Sequence, residues 1–155
     1  MNVRGTRVLD APREVVFEAV CDPDTLLAVI PGCHSIEQVG DTEYRGQISV
    51  RLPGVVGTYR TTVRLVDADP PERGVLDGEV VGPLGSITGR ATFRLAEADG
   101  RTVVEYDGQA VVDGPLARLD GRFVEGLAGS LIGQGLANLN ARLEGQHDAP
   151  KETAR

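Results

Sequence analysis

The sequence predicts an α+β fold in which a seven-stranded, curved antiparallel sheet wraps around a long C-terminal helix, with two short helices between strands 1 and 2. Three observations carry this expectation. Two helix starts follow each other closely, at Asp10-Ala11-Pro12 and at Asp22-Pro23. A period of two, broken by regular turn signals, runs from Cys33 to Val112. Apolar residues at helical spacing then run from about Leu116 to Leu143.

Val3 to Leu9 alternates weakly and reads as strand 1. Asp10 is expected to accept from the first free amides of a helix, with Pro12 where no intrahelical N–H is needed. Val15, Val16, Phe17, Ala19 and Val20 give that helix its apolar side up to Cys21. Asp22 is the next N-cap, followed by Pro23, and Leu26, Leu27 and Ile30 supply the apolar side before Pro31-Gly32 ends the element.

Beyond Cys33 the turns Gly40-Asp41, Pro53-Gly54, Pro70 to Gly74, Pro83 to Gly85 and Asp99-Gly100 separate six strands. Tyr44, Gly46, Ile48, Val50 and Leu52 share one face of their strand, and Glu43, Arg45, Gln47, Ser49 and Arg51 the other. The split recurs with Tyr59, Thr61, Val63 and Leu65, and again with Ile87, Gly89, Ala91, Phe93 and Leu95, each opposed by Thr and Arg. One face is therefore wet, and the short connections imply an antiparallel meander. Strands well beyond the common ~5–6 residues belong to a sheet that curls. In the last helix Leu119, Phe123, Leu127, Leu131, Leu139 and Leu143 recur at multiples of four, a drifting stripe that suits a helix embraced by a curved sheet. Residues 1–145 form one domain on this reading, and the polar tail 146–155 is expected to be disordered.

The 155 residues carry 16 Lys plus Arg against 23 Asp plus Glu, a net charge of -7 that repels phosphate, so nucleic acid is excluded as a partner. Hydrophobic residues make up 41%, too many for a disordered chain, and no apolar run approaches the ~20 residues of a membrane span. Two cysteines and no apolar leader after Met1 point to a reducing cytoplasm.

Gly121, Gly126, Gly129, Gly133 and Gly135 lie inside the last helix, where each costs about 1 kcal/mol against Ala. Either a neighbouring backbone comes close there or space is left open. The second reading gains from Gly46, Gly89, Ala91, Gly108 and Ala110 on the inner side of the sheet: small residues on both walls predict an apolar cavity for a small molecule. Its expected lining is Phe17, Leu27 and Ile30 from the helix pair, with Pro31 at the rim. Tyr44, Ile48, Val50, Tyr59, Thr61, Val63, Gly89, Ala91, Phe93, Tyr106 and Ala110 come from the sheet, and Phe123, Leu127, Gly129 and Leu131 from the last helix. The three tyrosines either fill the core or orient a ligand through their hydroxyls.

Catalytic chemistry finds little support. His34 follows Cys33, yet Cys21 and Cys33 lack Cys-x-x-Cys spacing, and Cys33 reads as a small apolar group. Gly82 to Gly85 precedes a strand rather than the helix start that a phosphate loop requires. Asp77 and Glu79 read as solvated edge charges. No catalytic residue, metal ligand or covalent cofactor is expected.

These features resemble the START-like helix-grip (SRPBCC) superfamily, and within it the carbon monoxide dehydrogenase CoxG family. Ala11-Pro12 with Val16 and Phe17, Asp22-Pro23, and above all Ile30-Pro31-Gly32-Cys33 carry the resemblance, which Asp69-Pro70-Pro71 and Gly114-Pro115-Leu116-Ala117 extend over nearly the whole chain. Phe17 stands where the family often has Trp, and Asp120 where a small residue is expected. The resemblance implies a non-catalytic accessory protein of a molybdenum-hydroxylase-type redox enzyme, acting in membrane recruitment or delivery of an electron acceptor. It also implies an apolar guest, a lipid or isoprenoid quinone. Some family members carry a long tail thought to anchor in the membrane; this chain ends at Arg155, so the expectation is a cytoplasmic protein with at most peripheral contact with the membrane's inner face. Two other functions remain open: a polyketide cyclase or hydrolase on the same scaffold, which would need an inward acid-base pair, and a ligand-free interaction scaffold using the Ile30 to Cys33 loop.

Overall fold

The computed structural model describes the backbone of residues 1–153 and the side chains of residues 1–145. Strand β1 (Asn2–Leu9) leads into helices α1 (Arg13–Val20) and α2 (Pro23–Val29). Then come β2 (Cys33–Gln38), β3 (Glu43–Val50), β4 (Gly57–Asp69), β5 (Arg73–Gly82), β6 (Gly85–Ala98) and β7 (Arg101–Asp113). A 3-10 turn (Gly114–Arg118) precedes helix α3 (Gly121–Thr153). The strands form one seven-stranded sheet in the order β1-β7-β6-β5-β4-β3-β2, antiparallel throughout, so the meander closes by bringing β1 back against β7. Every turn signal beyond Cys33 marks a junction between two of these strands.

Several elements begin where local chemistry dictates. Asp22 caps α2, its carboxylate accepting from the Thr25 backbone N–H at 3.3 Å and from the Thr25 hydroxyl at 2.7 Å. Asp10 does not cap α1, contrary to expectation: the N-cap is Pro12, whose carbonyl accepts from Val15 and Val16. Asp10 is held at the end of β1 instead, its N–H donating to Asn140 Oδ1 at 2.8 Å and its carboxylate facing Arg101 Nε at 2.9 Å. The last helix also starts later than the stripe suggested. Pro115 and the 3-10 turn occupy the expected first turn, and Asp120 supplies the cap, accepting from Arg122 N–H at 2.8 Å. Its backbone continues to Thr153, beyond the expected end at Leu143. The side chains of the polar tail predicted at 146–155, and its last two residues altogether, lie outside the described residues.

Helix α3 is pinned at two places. Leu139 and Leu143 join Leu9, Val16, Phe17, Val29, Leu95 and Val104 in one buried cluster. Leu116, Val55 and Tyr59 form a second cluster near the helix start, with Leu119 and Leu127 packed on it. Polar ties reinforce the first end: Asn138 Nδ2 donates to Val29 O at 2.9 Å, beside the Asn140 contacts to Asp10. Between the clusters the inner face of the sheet stays half-buried, at Gly78, Gly89, Ala91, Gly108 and Ala110.

The glycines of α3 are not sites of close approach. A β-carbon added at Gly126, which is exposed, or at Gly129, which is half-buried, would meet nothing within 4 Å. On the sheet the reason is different. A β-carbon at Gly46 would collide with the Ser35 carbonyl, and one at Gly89 with Gln109 and Ala110, so these two glycines permit close neighbouring strands rather than enlarge a hollow.

Two substitutions should move stability in opposite directions. Leu139→Ala, in the buried end cluster, is expected to lower unfolding free energy in urea by roughly 2–5 kcal/mol. Gly126→Ala and Gly129→Ala should each raise it by roughly 0.5–1 kcal/mol, since a helical glycine is replaced where a methyl group has room. A loss of stability in either glycine variant would contradict the open space around α3.

Candidate functional site

A cavity of about 260 Å³ lies between the helix pair and the sheet. Val20 and Cys21 close α1 against it, Leu26 and Ile30 come from α2 and its end, and Cys33 and Ile36 come from β2. The sheet wall is Tyr44, Gly46 and Ile48 on β3, Thr61, Val63 and Leu65 on β4, Leu76 on β5 and Phe93 on β6. The tandem helix starts position the first group: α1 stops at Cys21 and Asp22 immediately caps α2, so the chain doubles back and presents both helix ends to one spot. Alternation positions the second group. Thr61 pairs across the ladders with Gly46 and Val80, and Leu76 with Ala91, so these residues share the inner side.

The polar groups of the wall are few. The Tyr44 hydroxyl donates to the Cys21 carbonyl at 2.6 Å, tying β3 to the joint between the two helices. Cys33 Sγ donates to Ser35 O at 3.4 Å. The Thr61 hydroxyl oxygen is buried without a hydrogen-bond partner among the described residues. Burial pushes the Cys21 thiol up, partly offset by its hydrogen bond with Tyr44, and pushes the Cys33 thiol up as well. Burial likewise raises the Tyr44 phenol, helped by the neighbouring Cys21 and Asp22. The wall thus stays uncharged at neutral pH, and its lining contains no carboxylate or histidine.

Of the residues expected to line a hollow, Ile30, Tyr44, Ile48, Thr61, Val63 and Phe93 stand on this wall. Phe17 lies behind it in the buried cluster, its ring 5.8 Å from that of Phe93 and tilted by 46°. Val50, Tyr59 and Leu127 belong to the other cluster, where the Tyr59 hydroxyl donates to Val55 O at 3.1 Å. Tyr106 lies over Gly5 on β1. Gly89 stands across from Ala110, and Ala91 across from Gly108, on the half-buried stretch beneath α3. Gly129 and Leu131 are half-buried on α3, and Pro31 Cδ is 3.8 Å from where a β-carbon of Gly135 would sit. Leu27 and Phe123 are exposed, at 40% and 46%. Sequence reasoning missed Val20, Cys21, Leu26, Cys33, Ile36 and Leu76 as wall residues. The doubled-back helices place the first three, and the strand ladders place Ile36 across from Gly46 and Leu76 across from Leu65.

Elsewhere charges pair on the wet face. Arg90 donates to both oxygens of Asp77, at 2.6 and 3.0 Å, and this holds the Asp77 carboxyl below its ordinary value. Asp77 is therefore a paired surface group. Among the described residues no group of three or more His, Cys, Asp or Glu is placed to hold a metal ion, and no helix is long and apolar enough to cross a membrane.

The sequence profile of the carbon monoxide dehydrogenase family CoxG matches residues 5–144. A conserved protein from Geobacillus kaustophilus superposes with a TM-score of 0.88 at 26% identity, over 93% of this chain and 95% of that one. A START superfamily protein from Mycobacterium smegmatis gives 0.69 at 17% identity, over 92% and 97%. A protein from Chromobacterium violaceum gives 0.72 at 20% identity, over 92% and 96%. The architecture is START-like. No curated protein matches the chain at a significant level.

The raised thiols give a measurable consequence. Alkylation of Cys21 and Cys33 by iodoacetamide at pH 8 should run slower than in the urea-unfolded chain, and accelerate as pH passes their ordinary value of 9.0. The sign for stability follows: the fold favours the protonated thiols, so their contribution is present below pH 9.0 and is lost as pH rises through the raised values. Peptide mass spectrometry reads the first effect and urea midpoints the second; equal alkylation rates in folded and unfolded protein would contradict the buried placement.

Proposed function

The chain belongs to the CoxG family, and from that membership and the cavity we propose that it is a non-catalytic accessory protein holding an apolar small molecule, a lipid or an isoprenoid quinone. The partner served is a redox enzyme of the carbon monoxide dehydrogenase, molybdenum-hydroxylase type, to which the protein presents an electron acceptor or which it brings to a membrane. The observation that carries the reading is the wall itself: apolar side chains, thiols held protonated, and no acid-base pair among its lining residues. Transfer of an apolar tail into such a site gains roughly 25 cal/mol per Å² removed from water, before the entropy of binding is subtracted.

A cytoplasmic location with at most peripheral membrane contact fits this role. Leu52 and Val56, 38% and 60% exposed on the β3–β4 loop, and Phe123 at the start of α3 offer apolar contact to a bilayer or enzyme surface. A cyclase or hydrolase on this scaffold would need a carboxylate or histidine on the wall, which the described lining does not supply.

Native mass spectrometry of the purified protein, followed by organic extraction, should find a stoichiometric prenylated or acylated compound, or uptake of a long-chain quinone added to the empty protein. Val63→Trp, which pushes a large ring into the cavity, should lower that uptake at least tenfold while the circular dichroism spectrum is retained. An empty wild-type protein that rejects both added quinone and fatty-acyl compounds would leave the interaction scaffold as the better account.

A further inference from the structure

We infer that α2 is a lid over the cavity, opening as one rigid piece between two joints while α1 and the sheet stay in place. Such a lid governs access to the site of the carrier reading, whichever guest that site takes. Helix α2 is only seven residues long, and two of them, Thr25 and Val29, are buried. It rests on β2, an edge strand of the sheet, and on α3. Its outer side, at Asp24, Leu27 and Ala28, is open to solvent. Leu26 and the C-cap residue Ile30 line the cavity, which lies between α2 and the strands β4, β5 and β6. Helix α1 is held differently: Val16, Phe17 and Ala19 all belong to the buried cluster, and the Phe17 ring meets that of Phe93. Val29 is the residue that α2 contributes to that cluster. A helix of two turns has little stability of its own, and an element with few buried apolar side chains sits at the low end of local stability.

Local chemistry keeps the piece whole and defines its joints. Asp22 caps α2 from within, its carboxylate accepting from the Thr25 N–H and hydroxyl and its carbonyl from Leu26 N–H at 3.0 Å. The cap therefore travels with the helix. At the other end Ile30 leaves helical geometry, with φ −73° and ψ 120°, and Gly32 at φ 75° turns the chain into β2. A β-carbon on Gly32 would collide with the Ser49 carbonyl, and Gly32 O accepts from Ser49 N–H at 2.9 Å, so this joint is fastened to the end of β3. Two side-chain bonds from elsewhere in the fold hold the lid shut. The Tyr44 hydroxyl donates to Cys21 O at 2.6 Å, just before α2, and Asn138 Nδ2 donates to Val29 O at 2.9 Å, at its last residue. Each bond grips one end of the helix, and both must break for Leu26 and Ile30 to leave the wall.

Amide hydrogen exchange of the whole protein tests this, read residue by residue by NMR over a series of low urea concentrations. The N–H groups of Leu26 and Ile30, bonded to Asp22 O and Leu26 O, should open together, ahead of global unfolding and with a much shallower urea slope. The sheet amides around Val104 should open only with the whole molecule. Tyr44→Phe and Asn138→Ala each remove one of the two bonds, and each should speed exchange at Leu26 and Ile30 by about threefold to tenfold beyond any change at the sheet amides. Tyr59→Phe removes a tyrosine hydroxyl bond of the other cluster, to Val55 O, and should leave α2 as it is. Exchange of Leu26 and Ile30 only through global unfolding, or at opening energies that differ from each other, overturns the lid. So does an equal response of α2 to Tyr44→Phe and Tyr59→Phe. Since no guest is added, such a failure leaves the uptake of long-chain compounds to decide the carrier reading separately.

Discussion

The constraint on which the rest depends is the seating of aromatic rings over glycines of the next strand. Tyr106 covers Gly5, Phe93 covers Gly74, and Tyr59 covers Gly82; at each of these glycines a β-carbon would collide with the ring. Each pair sits across a ladder of the sheet, β7 on β1, β6 on β5 and β4 on β5. A ring seated over a glycine buries apolar surface against backbone. The chain has only three Phe, three Tyr and no Trp, so three of its six rings are committed to these contacts.

That economy has to be balanced by anchoring. The long helix could not rest on the middle of the sheet, where small residues offer little to pack against, so its hold is divided between Leu139 with Leu143 at one end and Leu127 with Leu116 and Leu119 at the other. Side-chain amides complete the arrangement: Asn138 reaches Val29 O and Asn140 accepts from Asp10 N–H, each satisfying a main-chain group where β1 or α2 ends. These bonds fix the distance of α3 from the helix pair.

Much of this architecture is legible in the sequence because its signals are local. Alternation along β3, β4 and β6 sets the inner side, and Gly or Pro at each turn sets the meander; both depend on neighbours a few residues away. The cap at Asp22 is legible for the same reason, whereas the one expected at Asp10 fails because partners from Arg101 and Asn140, distant in sequence, claim that carboxylate. The late start of α3 follows from Pro115 and Asp120, residues whose competing 3-10 turn leaves the apolar spacing unchanged. Site residues divide similarly. Ile48, Thr61, Val63 and Phe93 can be placed by phase alone. Cys21 and Leu26 reach the cavity through the tight joint between α1 and α2, and Gly46 and Gly89 are glycines for a reason that involves the adjacent strand and is invisible along the chain.

The two faces of the sheet also divide the electrostatic labour. Arg90 with Asp77, Arg73 with Asp67, and Arg45 and Arg64 around Glu43 place the sheet's ion pairs on its wet face, where water screens them and each contributes little to stability. The cavity lining carries no charged side chain, so the inner wall avoids the desolvation that an internal charge would impose. A site of this kind could not hold a guest by charge and cannot readily shift a proton. What it can do is exclude water from an apolar body, which suits holding and releasing a molecule unchanged better than transforming it.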